Sequence, residues 1–277
     1  MIPIGVALGT IGLDADSWLR AAGHLAAAPI DRLWVWDHLM GRGAPERPVL
    51  EATTLASVAL TLYPTLHVGT LVLDVTKRHP ALTAKIAATI DACAPGRFTL
   101  GVGAGGDASE HEALGMEYGD VAQRIARLTD HVTVVRSMLL GDPHERVTLS
   151  SPRSLREASS SPRPGPRLRL LIAGDHPSSI RLAASSADEW VAPVTPFARG
   201  EALLREAERA SERTAPPVRT HLLHELGASE AFAGSPFGMN PKRLLAEAHE
   251  AGATGLIITV RTERDAADAA LLIKNLR

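Results

Sequence analysis

LHVGTLVLDVTKRHPALTAKIAATIDACAPGRFTLGVGAGG, residues 66–106, contains one complete unit of the repeat that decides the fold. An apolar run at 66–73 leads through a short polar link to Pro80. An Ala-rich stretch with helical spacing covers 80–92, and a second apolar run follows at 98–102. Pro suits a first helical turn, where its missing N–H has no partner to lose. Runs that are apolar at nearly every position, rather than at alternate ones, predict strands covered on both faces. Two such strands joined by a helix form a parallel pair, because a parallel connection needs a crossover.

The same rhythm extends outward in both directions. Strands are expected at 4–8, 32–36, 66–73, 98–102, 168–173, 189–194, 218–223 and 255–260. Helical spacing occupies 17–27, 51–62, 80–92, 122–140, 178–186, 199–213, 241–251 and 263–276, with Asp16, Ser178 and Thr262 as candidate N-caps and Pro241 at a first turn. Eight βα units predict an α/β fold, a closed (β/α)8 TIM barrel, for which about 250 residues is typical. An open doubly wound sheet is the alternative. The expectation is a single domain spanning residues 1–277. Residues 141–166, rich in Ser, Pro and Arg, break the rhythm and read as an irregular excursion ahead of the fifth strand.

Composition narrows the possible partners. Formal net charge is −2, which argues against nucleic acid as the main partner. Aromatic residues are 4% of the chain, so Ala, Leu and Val must fill most of the core. The single Cys93 excludes an intrachain disulfide and a cysteine-built zinc site, and it reads as a small buried residue on a helix. The start MIPIGVALGT lacks the basic opening and cleavage site of a signal peptide, and no apolar run approaches the roughly 20 residues of a membrane span. A soluble, cytoplasmic protein is expected.

In such barrels functional groups collect where strands end. The second strand runs into Asp37 and His38, an acid and an imidazole suited to proton transfer or cofactor contact; a turn cap and a surface histidine are the alternatives. The fourth runs into Gly101, Gly103, Ala104, Gly105 and Gly106, where backbone can approach a planar ligand or simply turn. The fifth ends in Gly174, Asp175, His176, Pro177, Ser178 and Ser179. A helix start there offers N–H groups to a phosphate, or is merely capped. Among the 25 arginines, Arg78, Arg153, Arg156, Arg163 and Arg167 are candidates to meet an anionic ligand, with solvated surface arginines as the alternative. Glu110, His111 and Glu112 read as a solvated helix start. His221 and His224 on a strand point to opposite faces, so no metal site is expected.

WVWDHL after strand two, the stretch VGTLVLDVTKRHPALTAKIAATIDACAPGRFTLGVGAGG, and LLIAGDHPSSIRLAASSADEW together resemble the luciferase-like flavin- and deazaflavin-dependent oxidoreductases. The resemblance covers about residues 4–194. It implies a (β/α)8 barrel binding coenzyme F420 or FMN, acting on a small molecule as a homodimer. An Asp-His pair after strand two resembles the F420-using branch, with Asp37 beside the deazaflavin ring and His38 on the substrate side. The resemblance further implies a non-prolyl cis peptide between Leu71 and Val72 against the ring, the backbone of Gly103, Ala104 and Gly105 along its edge, and Gly174, Asp175 and Ser178 at the phosphate. Three positions depart from the family pattern. Gly174 is followed by Asp175 instead of a second Gly, Gly106 stands where sugar-phosphate-oxidising relatives have an acid, and their aromatic residue is replaced near Arg42. The last change points to a different, anionic substrate that the sequence does not name. A hydride-transferring F420 enzyme is the leading expectation, with an FMN monooxygenase and a non-catalytic cofactor-binding barrel as alternatives.

Overall fold

The computed structural model describes residues 2–41, 43–44, 46–140, 147–149, 155–158, 161–211, 216–227 and 230–276; Arg42 and Arg153, which figure among the sequence expectations, lie outside these. In chain order the elements are β1 (Ile4–Leu8), α1 (Ala15–Ala26), β2 (Leu33–Val35), α2 (Ala52–Leu62), β3 (Val68–Thr70), β4 (Leu73–Asp74), α3 (Pro80–Cys93), β5 (Phe98–Gly103), α4 (Ala108–Ala113) and α5 (Val121–Leu140). They continue with β6 (Val147–Leu149), β7 (Leu155–Ala158), β8 (Arg169–Ala173), α6 (Pro177–Ser186), β9 (Glu189–Pro193), α7 (Val194–Ala210), β10 (Arg219–His224), α8 (Pro236–Met239), α9 (Pro241–Glu250), β11 (Gly255–Val260) and α10 (Glu263–Leu276).

Parallel pairing runs β1–β2–β3–β5–β8–β9–β10–β11, and β11 pairs back onto β1, which closes an eight-stranded barrel with helices outside. The predicted strand 66–73 divides into β3 and β4, and the peptide between Leu71 and Val72 at the division is cis, as the family resemblance implied. Of the irregular segment 141–166, residues 147–149 and 155–158 pair as antiparallel strands, while 141–146, 150–154 and 159–160 lie outside the described residues.

All five residues of β1 and all six of β11 are buried, as a sheet covered on both faces requires. Outward-facing Val6, Leu8, Leu33 and Val35 join the helices' apolar faces in the main core. Inward-facing Ala7, Trp34, Leu171, Val191 and Ile257 form a second core inside the barrel. The Trp34 indole fits there because β1 and β3 carry glycine beside it. A Cβ on Gly5 would lie 2.6 Å from Trp34 Nε1, and one on Gly69 would lie 2.4 Å from its ring.

The floor of the barrel is charged. Glu189, fully buried, accepts from Arg32 Nη1 at 2.9 Å and lies 2.8 Å from His221 Nε2. The Arg32 guanidinium stacks 4.9 Å from the Trp34 ring centre. Burial pushes the Glu189 carboxyl up, but the His221 hydrogen bond and the Arg32 charge hold it well below the usual carboxylate range. His221 thus serves an internal ion cluster, and among the described residues no group of three or more His, Cys, Asp or Glu side chains could hold a metal ion.

Several local expectations change. Asp14, not Asp16, caps α1, and His176, not Ser178, caps α6, each by accepting a backbone N–H near the helix start. Thr262 does cap α10, accepting from Asp265 N at 3.0 Å. Cys93, at the last turn of α3, is exposed rather than buried. Among the described residues no helix is long and apolar enough to cross a membrane.

Removing the carboxylate of a buried ion pair leaves its cation, here Arg32, charged and unpaired, which costs about 3–5 kcal/mol. Glu189→Ala is therefore expected to lower the unfolding free energy by about that amount in urea titrations. A loss under about 1 kcal/mol would show that the cluster is solvated rather than sealed.

Candidate active site

Strand alternation that turns Trp34 into the barrel also turns Trp36 inward, and the chain leaves the sheet immediately afterwards, setting Asp37 and His38 at the mouth. Asp37 is buried. Its two oxygens accept from Arg78 Nη1 and Nη2 at 2.6 Å each, and Oδ2 also accepts from the Asp74 backbone N–H at 2.8 Å. Such a fork-to-fork pair fixes orientation as well as charge. Arg78 reaches on to Glu51 Oε1 at 2.9 Å, and Glu51 is the N-cap of α2, accepting from Thr54 N at 2.7 Å. Burial pushes the Glu51 carboxyl up, but the Thr54 and Thr53 hydrogen bonds bring it down to about 2.

A cavity of about 530 Å³ opens beside this pair. Asp37 and His38 form one part of its wall, Leu71 and Val72 a second, residues 103–106 a third, and Gly174, Asp175 and Ser179 a fourth. Gly105 has φ +83°, and a Cβ there would lie 2.7 Å from the Asp74 carboxylate, so this wall is bare backbone by necessity. Gly174 has φ +131°, and its carbonyl accepts from Trp190 Nε1 at 2.9 Å, which anchors the turn into α6.

The structure thus gathers Asp37, His38, Leu71, Val72, Gly103, Ala104, Gly105, Gly106, Gly174 and Asp175 around one cavity. Ser178 is not part of it. It is exposed and its backbone N–H donates to His176 Nδ1, while buried Ser179 lines the wall instead. Of the arginines proposed for an anionic ligand, Arg156 is exposed on β7 and does not line the cavity, and three others are employed elsewhere. Arg78 holds Asp37 and Glu51, Arg163 donates to Met138 O, and Arg167 packs beside Gly96 ahead of β5, at the opposite end of the barrel.

Sequence reasoning passed over several residues of the site, among them Lys77, Glu110 and Arg124, together with His111 beside Asp74. Glu110 and His111 are buried, not solvated. One Glu110 oxygen accepts the backbone N–H groups of Leu39 and, at 2.8 Å, Met40; the other accepts from Lys77 Nζ and lies 4.0 Å from His38 Nδ1. Lys77 Nζ also donates to Asp37 O at 2.9 Å. Burial pushes the Glu110 carboxyl up, yet the Lys77 and backbone hydrogen bonds keep it below its ordinary range, hence ionised at neutral pH. The segment carrying His38 is therefore stapled from below. His111 Nδ1 lies 2.7 Å from Asp107 O, an acceptor only, so that nitrogen carries the proton, while Nε2 faces Asp74 Oδ2 at 3.3 Å. Arg124 on α5 lines the same cavity, stacked 4.1 Å from the Tyr118 ring centre and donating to Gly119 O at 2.9 Å. The Asp107-x-x-Glu110 spacing marks a helix start, but nothing in it shows which way that helix faces.

The sequence pattern of the luciferase-like monooxygenases matches residues 2–225. The chain belongs to that family. Within it, an F420-dependent glucose-6-phosphate dehydrogenase of Beutenbergia cavernae is 34% identical over 163 residues, covering 58% of this chain and 46% of that protein. A phthiodiolone/phenolphthiodiolone dimycocerosates ketoreductase of Mycobacterium tuberculosis is 29% identical over 197 residues, 62% of this chain and 50% of its own. The chain spans about half the length of the curated relatives it matches. Among solved luciferase-like folds, an F420-dependent secondary alcohol dehydrogenase in complex with an F420–acetone adduct superposes with a TM-score of 0.83 at 17% identity, covering 100% of this chain and 99% of that one.

The Glu51 carboxyl, at about 2 against an ordinary 4.5, gives a signed expectation. A depressed folded-state pKa contributes stability that is present above 4.5 and lost as pH falls toward about 2. Glu51→Gln should melt below the parent protein near neutral pH, with the gap closing across that window. A gap that stays constant through the window would show that the Glu51 charge is not the source.

Proposed function

We propose that this protein is an F420-dependent oxidoreductase, which moves a hydride between the deazaflavin and a small organic substrate at the barrel mouth. The observation that carries the reading is the position of His38. It lines the 530 Å³ cavity and also a second cavity of about 380 Å³ at the ends of β1, β2, β10 and β11. A proton-carrying side chain between two chambers is what hydride transfer between a cofactor and a second molecule needs. The F420-dependent relative at 34% identity supports the same reading.

The larger cavity fits the cofactor. A side-chain-free wall at Gly103 and Gly105, with Val72 packed beside Gly103, suits a flat ring system, and the turn at Gly174 with Ser179 and the start of α6 suits a phosphate. Arg124 supplies a cation to the same wall. Bound there, the deazaflavin supplies a hydride-accepting or hydride-donating carbon. His38 takes or returns the substrate's proton. Asp37, with both oxygens committed to Arg78, positions the wall rather than exchanging protons, and Glu110 with Lys77 holds the backbone from which His38 projects. We take the protein to work in the cytoplasm as a single-domain homodimer, with neither nucleic acid nor a membrane as partner; the family resemblance and the net charge of −2 support this.

Fluorescence titration of the purified protein should show micromolar affinity for F420 and none for FMN. Tight FMN binding without F420 binding would turn the reading toward a flavin monooxygenase, and binding of neither would remove it. His38→Ala should keep its F420 affinity while turnover of any accepted alcohol or carbonyl compound falls about 10²–10⁴-fold, the usual contribution of a general acid or base. Full turnover in that variant would eliminate His38 as the proton carrier.

A further inference from the structure

We infer that the second chamber binds a small organic anion, a carboxylate or a phosphate ester, between Arg47 and Arg261, and that this sets the substrate class. The word substrate here rests on the oxidoreductase reading above; the anion site itself does not.

Charge distinguishes the two chambers. In the larger one acids outnumber cations: Asp37, Asp74, Asp107, Glu110 and Asp175 line it with Lys77 and Arg124, and Lys77 is paired to Glu110. In the smaller one two guanidiniums, Arg47 and Arg261, face one carboxylate, Glu225, and among the described residues neither arginine forms an ion pair with any acid. Apart from Gly9 and the His38 imidazole, the remaining wall, Ile11, Trp36, Leu71 and Leu223, is apolar. A net positive chamber with apolar sides favours an organic molecule that bears an oxyanion.

The Arg261 guanidinium is held in place, and the backbone that carries exposed Arg47 is anchored. Arg261 donates Nη1 to Gly227 O at 2.7 Å and Nη2 to Leu226 O at 2.6 Å, and its guanidinium lies 5.8 Å from the Trp36 ring centre. A guanidinium has five N–H donors, so those two bonds orient the group and leave others for a ligand. Arg47 stands on a segment tied to the β1–α1 connection: Gly12 N donates to Pro48 O at 2.8 Å, Leu50 N donates to Thr10 O at 3.2 Å, and Ile11 bridges Val49. Ordering the Arg261 guanidinium and the Arg47 backbone before binding reduces the entropy lost on capture. His38 and Leu71 belong to both chambers, so a molecule anchored by its anionic end at the arginines presents its other end at the boundary with the cofactor space.

The chain carries its own reporter. Of its four tryptophans, Trp18, Trp34 and Trp190 are fully buried, and Trp36 is the one on the chamber wall. Tryptophan fluorescence of the cofactor-free protein would be titrated at constant ionic strength with levulinate against neutral 2-pentanone, and with glycerol 3-phosphate against glycerol. The expected result is that at least one anion binds about ten-fold or more tighter than its neutral counterpart, and that Arg47→Ala, melting as the parent does, loses about ten-fold of that preference. A response to levulinate alone identifies a carboxylate site, and one to glycerol 3-phosphate alone identifies a phosphate site. Equal binding of charged and neutral probes, no response to any of them, or an undiminished preference in Arg47→Ala overturns the inference. The titration uses no F420, so failure of the cofactor to bind would defeat the oxidoreductase reading and leave this result standing.

Discussion

A closed barrel must fill its own interior, and in this chain the filling is done from the bottom by charge and from the middle by one indole. Glu189 draws Arg32 and His221 into a sealed cluster, Arg32 lies on Trp34, and Gly5 and Gly69 give that ring its space. An interior packed to that height leaves only the top layer, Trp36, Leu71, Val72, Ala173 and Leu223, to face the mouth. The depth of the site is thus set by what lies under it, and the rim is free to vary in chemistry while the floor stays fixed.

Above that floor, nearly every charged group near the larger cavity is used to hold backbone. Arg78 clamps Asp37, Glu110 ties down Leu39 and Met40, Lys77 joins Glu110 to Asp37 O, and Asp74 accepts from Thr76 N. A wall made largely of glycine backbone has few side chains with which to define itself, so its shape must come from such ties. His38 is the group these ties present to both chambers, and its placement depends on carboxylates it does not touch at hydrogen-bond distance.

The barrel was largely legible in the sequence because its signal is local. β1, β11 and α10 have the bounds their apolar patterns predict, and Pro80 and Pro241 open their helices as expected. The three loops of the larger cavity were legible for a related reason: each follows a strand directly, and topology puts strand ends together. What the pattern could not show is facing. Glu110 and His111 look like a polar helix start, and only the docking of α4 against the β3–α3 connection buries them. Ser178 and Ser179 are indistinguishable by composition, yet α6 turns the second toward the cavity and leaves the first in solvent. Arg78 looked free to meet a ligand because its partners, Asp37 and Glu51, are 41 and 27 residues away.

The Asp37–Arg78 clamp also limits how the chain can change over time. Each partner is largely buried and each neutralises the other, so a substitution at either position alone strands an opposite charge beside the cavity. Histories in which both change together, or in which Glu51 first takes over part of the load, avoid that barren step. Homologues of this barrel should accordingly vary at positions 37 and 78 as a unit, whereas exposed Ser178, which has no such partner to satisfy, is free to drift by itself.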